Sequence, residues 1–432
     1  MMINANNFLN NLKQNLLQLV VILLLISCGK SGNTSGGGTT PAPVTPTPPV
    51  VYTAQVTILA AENNQAIQGF GCATVFAPPG TSELTDAEYD RLFGSATGQV
   101  GLNFLRIRIA SDAPWRATEL VHAKEAIQRG AKVFASPWSP PASMKTNNNI
   151  IGGKLIPDSA VAYAKYLNDF AVYMAANGVP LYSVSVQNEP DWDPTYEGCV
   201  WTATEMRDFL KNQGSLITAT KLMAPELVNN NQAYMNTILS DPGAVANLDI
   251  LGTHIYGGGV VENLDAKTKG KEIWMTEHLE TDTSYTANLN TAVEIYDCFT
   301  SANFSAYIWW YGKRYYGLVG QDGVVTKRGY FISQYARFIK EGSIRLGASA
   351  NSRTDVLISA YKNGTKKVVV AINTGSAQVN QTIAFKDASA TSVVPYLTSS
   401  TKNAEKGTAI NVSNNSFVYS IPPNSVVTFV EQ

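Results

Sequence analysis

The chain has 432 residues, with 32 Lys and Arg against 33 Asp and Glu and a formal net charge of −1. That balance speaks against a nucleic-acid binder, whose phosphate contacts need clustered Lys and Arg. A hydrophobic fraction of 45 % is ample for a sizeable core, and the length permits two or three domains or one large α/β barrel with an appendage. Four Cys and three His are too few and too scattered for a zinc site, so no metal and no cofactor is expected.

At the N-terminus, Leu16–Ser27 (LLQLVVILLLIS) is an apolar run of 12 residues, too short for a bilayer core that needs about 20. It reads as the apolar segment of a signal peptide covering residues 1–27. The run ends in Leu25-Ile26-Ser27-Cys28-Gly29, which resembles the lipobox of bacterial lipoproteins. That resemblance implies cleavage before Cys28, a lipid on Cys28, and a place in the bacterial cell envelope with no other membrane contact. Residues 29–50 hold five Gly and five Pro with one charge, so 28–50 is expected to be a tether rather than a domain.

From residue 67 to about 335, strand-like apolar runs alternate with amphipathic helical segments. Strands are expected at Ile67–Thr74, Asn103–Ile109, Lys132–Ser136, Leu181–Gln187, Lys221–Pro225, Ile250–Ile255, Glu272–Thr276 and Ala306–Trp310. One helix is predicted from Thr85, with Glu88 at capping-box spacing, and another over Ser159–Asn177, stopping at Gly178. Eight strands separated by helices predict a (β/α)8 TIM barrel at 67–341. A doubly wound open sheet is the alternative, but the first strand lacks the G-x-G-x-x-G turn with a downstream acid.

Beyond residue 342 the period changes to that of strands, at Val356–Tyr361, Lys367–Ile372, Thr382–Phe385, Phe417–Ile421 and Ser425–Val430. Tyr52–Leu59 has the same character. Residues 51–66 and 342–432 are therefore expected to build one small side β-sandwich from both termini. The fold class is α/β, and the chain is expected to be a monomer.

Chemistry in such a barrel sits at the C-terminal ends of its strands. There the fourth barrel strand runs into Asn188-Glu189-Pro190 and the seventh into Thr276-Glu277-His278. Two opposed Glu at the mouth are the equipment for glycosidic hydrolysis, in which one carboxyl protonates the leaving oxygen and the other attacks carbon or activates water. Arg106 and Arg108 lie two apart on the second strand, hence on one face, and one of them is expected to supply a cation to Glu277.

Asn188-Glu189-Pro190 resembles the signature of the retaining clan of (β/α)8 glycosidases. Gln68-Gly69-Phe70-Gly71, Leu105-Arg106-Ile107-Arg108, Ser136-Pro137-Trp138-Ser139-Pro140-Pro141, Thr253-His254-Ile255-Tyr256-Gly257 and Trp274–Glu277 are similar to segments of glycoside hydrolase family 30. The likeness covers nearly all of 55–432. It implies that Glu189 is the acid/base, with its pKa raised by burial and by Glu277, and that Glu277 is the nucleophile. It also implies that Asn188 bonds the sugar 2-hydroxyl and that Trp138, His254, Tyr256 and Arg108 line the substrate site.

Trp138, Trp192, Trp201, Trp309 and Trp310 fall at or after strand ends, where some could stack on sugar rings. The run Trp310 to Gly317 is similar to a W-x-x-x-R-x-Y-G segment that binds the glucuronate side group in the family's glucuronoxylan-specific endo-xylanases. By that likeness Trp310 stacks, Arg314 clamps the carboxylate and Tyr316 donates a hydrogen bond, so the partner is a xylan. Those enzymes usually carry Tyr two residues after the nucleophile, where this chain has Leu279, which implies weaker reliance on the side group. A β-glucan- or glucolipid-cleaving relative is the second reading. A non-catalytic glycan-binding lipoprotein is the third, disfavoured by the presence of both Glu.

Overall fold

A computed structural model describes residues 52–76, 84–112, 114–257 and 259–432; the expected signal peptide, Cys28 and the tether lie outside them. The chain opens with β1 (Tyr52–Ile67) and then builds a closed barrel of parallel strands in sequence order. These are β2 (Gly69–Ala73), β3 (Phe104–Arg108), β4 (Lys132–Ser136), β5 (Ser183–Ser185), β6 (Lys221–Leu227), β7 (Ile250–His254), β8 (Glu272–Glu277) and β9 (Ala306–Tyr311). Helices α1 (Asp86–Phe93), α2 (Pro114–Gln128), α3 (Ala160–Ala176), α4 (Ala203–Gln213), α5 (Gln232–Leu239), α6 (Pro242–Asn247), α7 (Leu264–Thr268), α8 (Tyr285–Thr300) and α9 (Lys327–Ala336) run between and after them. Closure excludes the open-sheet alternative.

Local signals explain the helix ends. The Thr85 backbone N–H donates to Glu88 Oε2 at 2.7 Å, so the capping box that starts α1 forms as its spacing predicts. At the end of α3 the chain turns through Gly178 at φ +86°, a left-handed conformation that costs glycine little.

The barrel's interior divides into two levels. Its lower level is a plug of Phe104, Phe134, Met223, Ile250, Trp274, Ala306 and Ile308. Phe104 meets Trp274 edge-on at 4.9 Å, and Tyr182 stacks on Trp274 at 5.4 Å. The plug leaves the polar side chains to collect at the strands' C-terminal ends. Burying a ring of this size stabilises the fold by roughly 2–3 kcal/mol, so a dry floor comes at no net cost.

The remaining strands are β10 (Ser343–Ala348), β11 (Val356–Asn363), β12 (Lys366–Asn373), β13 (Val379–Lys386), β14 (Ser392–Thr398), β15 (Glu405–Lys406), β16 (Ile410–Asn411), β17 (Ser416–Ile421) and β18 (Ser425–Glu431). With β1 they form one ten-stranded sheet curled around its own apolar core. β1 pairs antiparallel with β10 and parallel with β13, which ties the N-terminal strand to the C-terminal domain. Its outer face joins the barrel core through Tyr361, Val370, Ile372 and Val426. Lys327 on α9 locks the join by donating to the carbonyls of Ser399 at 2.8 Å and Lys402 at 3.1 Å. Cys72, Cys199 and Cys298 are free and buried, so the one disulfide that their number allowed does not form.

Glu119 on α2 is fully buried, and among the described residues no side chain hydrogen-bonds its carboxylate. Burial pushes its pKa up to about 8 against the pull of Arg108. A carboxyl raised on folding leaves stability whole below its unfolded value, near 4.5, and erodes it as pH climbs to the folded value. Glu119→Gln is therefore expected to flatten the fall of Tm between pH 5 and pH 8, recovering on the order of a few kcal/mol at the alkaline end. Calorimetry across that range checks it; parallel curves for the two proteins would contradict it.

Candidate active site

Strand alternation aims most of the site. On β3, Phe104 lies in the plug, so Arg106 and Arg108 also face inward one and two steps higher. On β8 alternation from the inward Trp274 would turn Glu277 out. A register shift against β7 corrects this: Thr253 pairs with Met275 but His254 with Glu277, so β8 gains a residue and Glu277 faces in. Glu189 sits just past β5 at φ +47°, in the left-handed region, with its N–H held by the Glu226 carbonyl at 2.9 Å.

The two Glu meet at the barrel mouth. One oxygen of Glu189, one of Glu277 and a ring nitrogen of His254 lie within 4.8 Å of one another. Glu277 receives Arg106 Nη1 on Oε2 and the Tyr256 hydroxyl on Oε1 at 2.7 Å. Glu189 receives the Tyr196 hydroxyl at 3.1 Å and faces His254 Nδ1 at 3.2 Å. Among the described residues this trio is the one cluster with metal-ligand spacing, but a guanidinium and two phenols already serve its carboxylates, a set that opposes a cation.

Arg106 is the cation expected for Glu277. It is fully buried, lies 3.0 Å from Glu226, donates to Asn188 Oδ1 at 2.6 Å, and has the Trp138 ring 4.8 Å away. Burial would lower its pKa, but the charges of Glu226, Glu277 and Glu189 raise it, so it stays cationic. Burial and the Glu277 charge likewise push the Tyr256 phenol up, which keeps it a donor.

Glu189 departs from expectation. Burial works to raise it, but the His254 and Tyr196 contacts and the Arg106 charge outweigh burial and hold its carboxyl below the ordinary value. In the free protein it is therefore ionised near neutral pH. The sequence counts burial and the neighbouring Glu277; it does not show the donors.

Arg108, expected in the substrate site, pairs with Glu197 at 2.5 Å in a buried ion pair, with Phe76 and Trp115 against its guanidinium. Trp138 and Trp310 form a wall of the mouth, 5.8 Å between ring centres. Arg314 lies over Tyr311 at 4.3 Å, and Tyr316 and Leu279 pack against the Trp138–Trp310 cluster. Trp192 is exposed, whereas Trp201 and Trp309 belong to the main barrel core, apart from the cluster that Trp138 and Trp310 form. Sequence reasoning passed over Glu226, Glu197 and Tyr196. Only Tyr196 carried a local signal, its place in the loop that follows Glu189.

Residues 96–284 match the family described as glycosyl hydrolase family 30 TIM-barrel domain. The chain is 37 % identical over 395 residues to glucuronoxylanase XynC of Bacillus subtilis (strain 168), spanning 88 % of this chain and 92 % of that protein. Among solved structures it resembles the family 30 subfamily 8 xylanase Xyn30A from Clostridium acetobutylicum, at TM-score 0.83 and 38 % identity, over 88 % of this chain and 99 % of that one. A family 30 endoxylanase from Clostridium papyrosolvens C71 is similar at TM-score 0.80 and 38 % identity, over 88 % of this chain and all of that one. The barrel, its paired glutamates and these relatives agree: the chain is a glycoside hydrolase belonging to family 30.

Proposed function

We propose that the chain is a retaining endo-β-1,4-xylanase that cleaves glucuronoxylan by double displacement. The observation that carries this reading is the approach of the two carboxylates, an oxygen of each lying within 4.8 Å of the other. Retaining enzymes hold their carboxyl groups about 5–5.5 Å apart, whereas inverting ones need roughly 6.5–9.5 Å to admit a water. The similarity to a glucuronoxylanase and to two xylanases supports xylan as the substrate.

In this reading Glu277, aimed by Arg106 and Tyr256, attacks the anomeric carbon while Glu189 gives its proton to the leaving oxygen. The glycosyl ester so formed discharges Glu277. Glu189 then takes a proton from water, and the hydroxide displaces the ester, restoring both carboxyls. Glu189 has to be protonated before the first step. A sugar chain seated in the cleft expels water and lets the leaving oxygen take the place of Tyr196, so burial then dominates and raises the carboxyl. Asn188, its Oδ1 turned to Arg106, keeps its amide nitrogen for the sugar 2-hydroxyl. Trp192, whose backbone N–H donates to the Glu189 carbonyl at 3.1 Å, carries an exposed ring suited to stacking on a sugar.

Recognition of a glucuronic acid side group belongs to Trp310, Arg314 and Tyr316. A guanidinium beside an aromatic wall suits a flat carboxylate. Leu279 makes part of that wall apolar, so some cutting of undecorated xylan is expected. Arg314→Ala is expected to lower kcat/KM on glucuronoxylan about 10- to 100-fold, the worth of one charge-assisted pair, and to change arabinoxylan by less than about threefold. Product analysis on the two xylans checks both claims. Equal losses would remove the side-group reading, and preferential release of glucose from a β-1,6-glucan would remove xylan itself. The same reading keeps the enzyme joined to the cell envelope through a lipid on Cys28.

A further inference from the structure

The barrel holds a third carboxylate that the chemistry above leaves unused. On β6, Met223 lies in the plug, so alternation would turn Glu226 outward toward the helices. The register with β7 forbids it: Pro225 pairs with Gly252 and Leu227 with Thr253, which leaves Glu226 as the extra residue of a bulge. Leu227 consequently packs into the outer core, and Glu226 turns inward at φ +54°, a conformation that strains a residue with a side chain. Gly252 is needed opposite, since a Cβ there would stand 2.6 Å from Glu226 Cγ. Strand register, a strained residue and a glycine thus combine to bury one carboxylate.

That carboxylate is fully buried and has one close partner, Arg106 Nη2 at 3.0 Å; among the described residues no hydrogen bond reaches either of its oxygens. Its backbone carbonyl accepts the Glu189 N–H at 2.9 Å. Glu226 therefore touches both halves of the machinery, Glu277 through Arg106 and Glu189 through the main chain.

We infer that Glu226 is a positioning residue for the reaction, sharing the charge of Arg106 so that Glu277 is aimed without being over-stabilised. Arg106 carries one positive charge between two buried carboxylates, with Glu189 nearby. Were Glu226 neutral, the whole charge would fall on Glu277 in a dry site where such attraction is strong. A nucleophile has to surrender that attraction as its charge passes to the sugar, so a stronger hold means a slower attack. Tyr256, His254, Tyr196 and Glu189 also face this centre, and among the described residues none of their side chains hydrogen-bonds the Glu226 carboxylate.

The inference rests on Glu277 being the nucleophile, and a probe of that single step separates the two claims. A 2,4-dinitrophenyl 2-deoxy-2-fluoro-β-xylobioside has a leaving group that needs no acid, so its labelling rate reports attack by Glu277 without Glu189. Glu226→Gln is expected to be labelled about 10- to 100-fold more slowly than the parent, the cost of a nucleophile held tighter in the ground state by about 1.4–2.7 kcal/mol. Apparent affinity for the probe should stay within about threefold. Glu226→Asp, which restores the charge, should recover part of the rate. Should the Gln variant fold poorly, the Asp variant measured against its own folded fraction decides the matter. Labelling of the folded variants at the parental rate, or a loss that tracks only the unfolded fraction, overturns the inference. Failure of the parent protein to be labelled on Glu277, read by peptide mass, instead overturns the nucleophile reading and takes this one with it.

Discussion

Glu277→Gly is expected to lose about 10⁴- to 10⁶-fold in kcat on xylan, the scale seen when a covalent nucleophile is removed. The loss has a recoverable part. Deleting the side chain opens a gap beneath the anomeric carbon, lined by Arg106 and the Tyr256 hydroxyl, the two donors that now hold the carboxylate. A small anion fits both the gap and the unpaired guanidinium, so azide should restore turnover of an aryl xyloside with a good leaving group. Attack from the side of the missing carboxylate inverts the sugar and gives the α-xylosyl azide. The stereochemistry of the recovered product, read by NMR, is the decisive measurement. A β-azide would exchange the roles of Glu277 and Glu189, and an undiminished kcat would remove Glu277 from the chemistry.

The eight-strand period and Glu189 are legible because they depend on local pattern, an apolar strand and then a polar residue at its end. Glu277 is legible from its place at the end of the seventh barrel strand, although its inward aim depends on the register with β7. What escaped reading depends on partners distant in sequence. Arg106 and Arg108 share a face, and only Glu197, far along the chain, decides that Arg106 rather than Arg108 pairs with Glu277. Glu226 is hidden more deeply, because period-two alternation assigns it to the wrong side and only the register between β6 and β7 turns it in. The same limit applied to the β-domain. β14 carries Pro395, which argues against an interior strand, yet it pairs along its length with β18 and on its other side meets only the short β15 and β16. The expected side β-domain from both termini forms as one sheet curled around its own core, and the order of its strands is a matter of pairing that strand pattern does not encode. Which of the Trp at strand ends are core is likewise set by what packs over them, and Trp201 and Trp309 fall in the barrel core.

Glu189 offers the second large effect. With Glu189→Ala, kcat on xylan should fall about 10²- to 10⁴-fold, the usual worth of general acid–base assistance, while formation of the glycosyl-enzyme from a dinitrophenyl glycoside should survive. The informative variant is the milder Tyr196→Phe. In the free enzyme burial raises the Glu189 carboxyl, yet the His254 and Tyr196 contacts and the Arg106 charge hold it below its ordinary value. The first step needs the protonated form, so kcat/KM falls as pH rises through that lowered value, and this alkaline limb reports the free enzyme. Tyr196 donates to the ionised carboxylate from a loop position 48 % exposed, so its hydroxyl can be removed with little disturbance to the core. Without that donor the charged form is less favoured and the proton is held to higher pH. Tyr196→Phe should therefore move the alkaline limb of kcat/KM upward by roughly half to one pH unit and leave the acid limb in place. In kcat the difference should shrink, because in the proposed reading the leaving oxygen of a bound sugar takes the tyrosine's place at Glu189. An unmoved limb would mean that Tyr196 does not govern the acid, and a downward shift would mean that the phenol favours the protonated form.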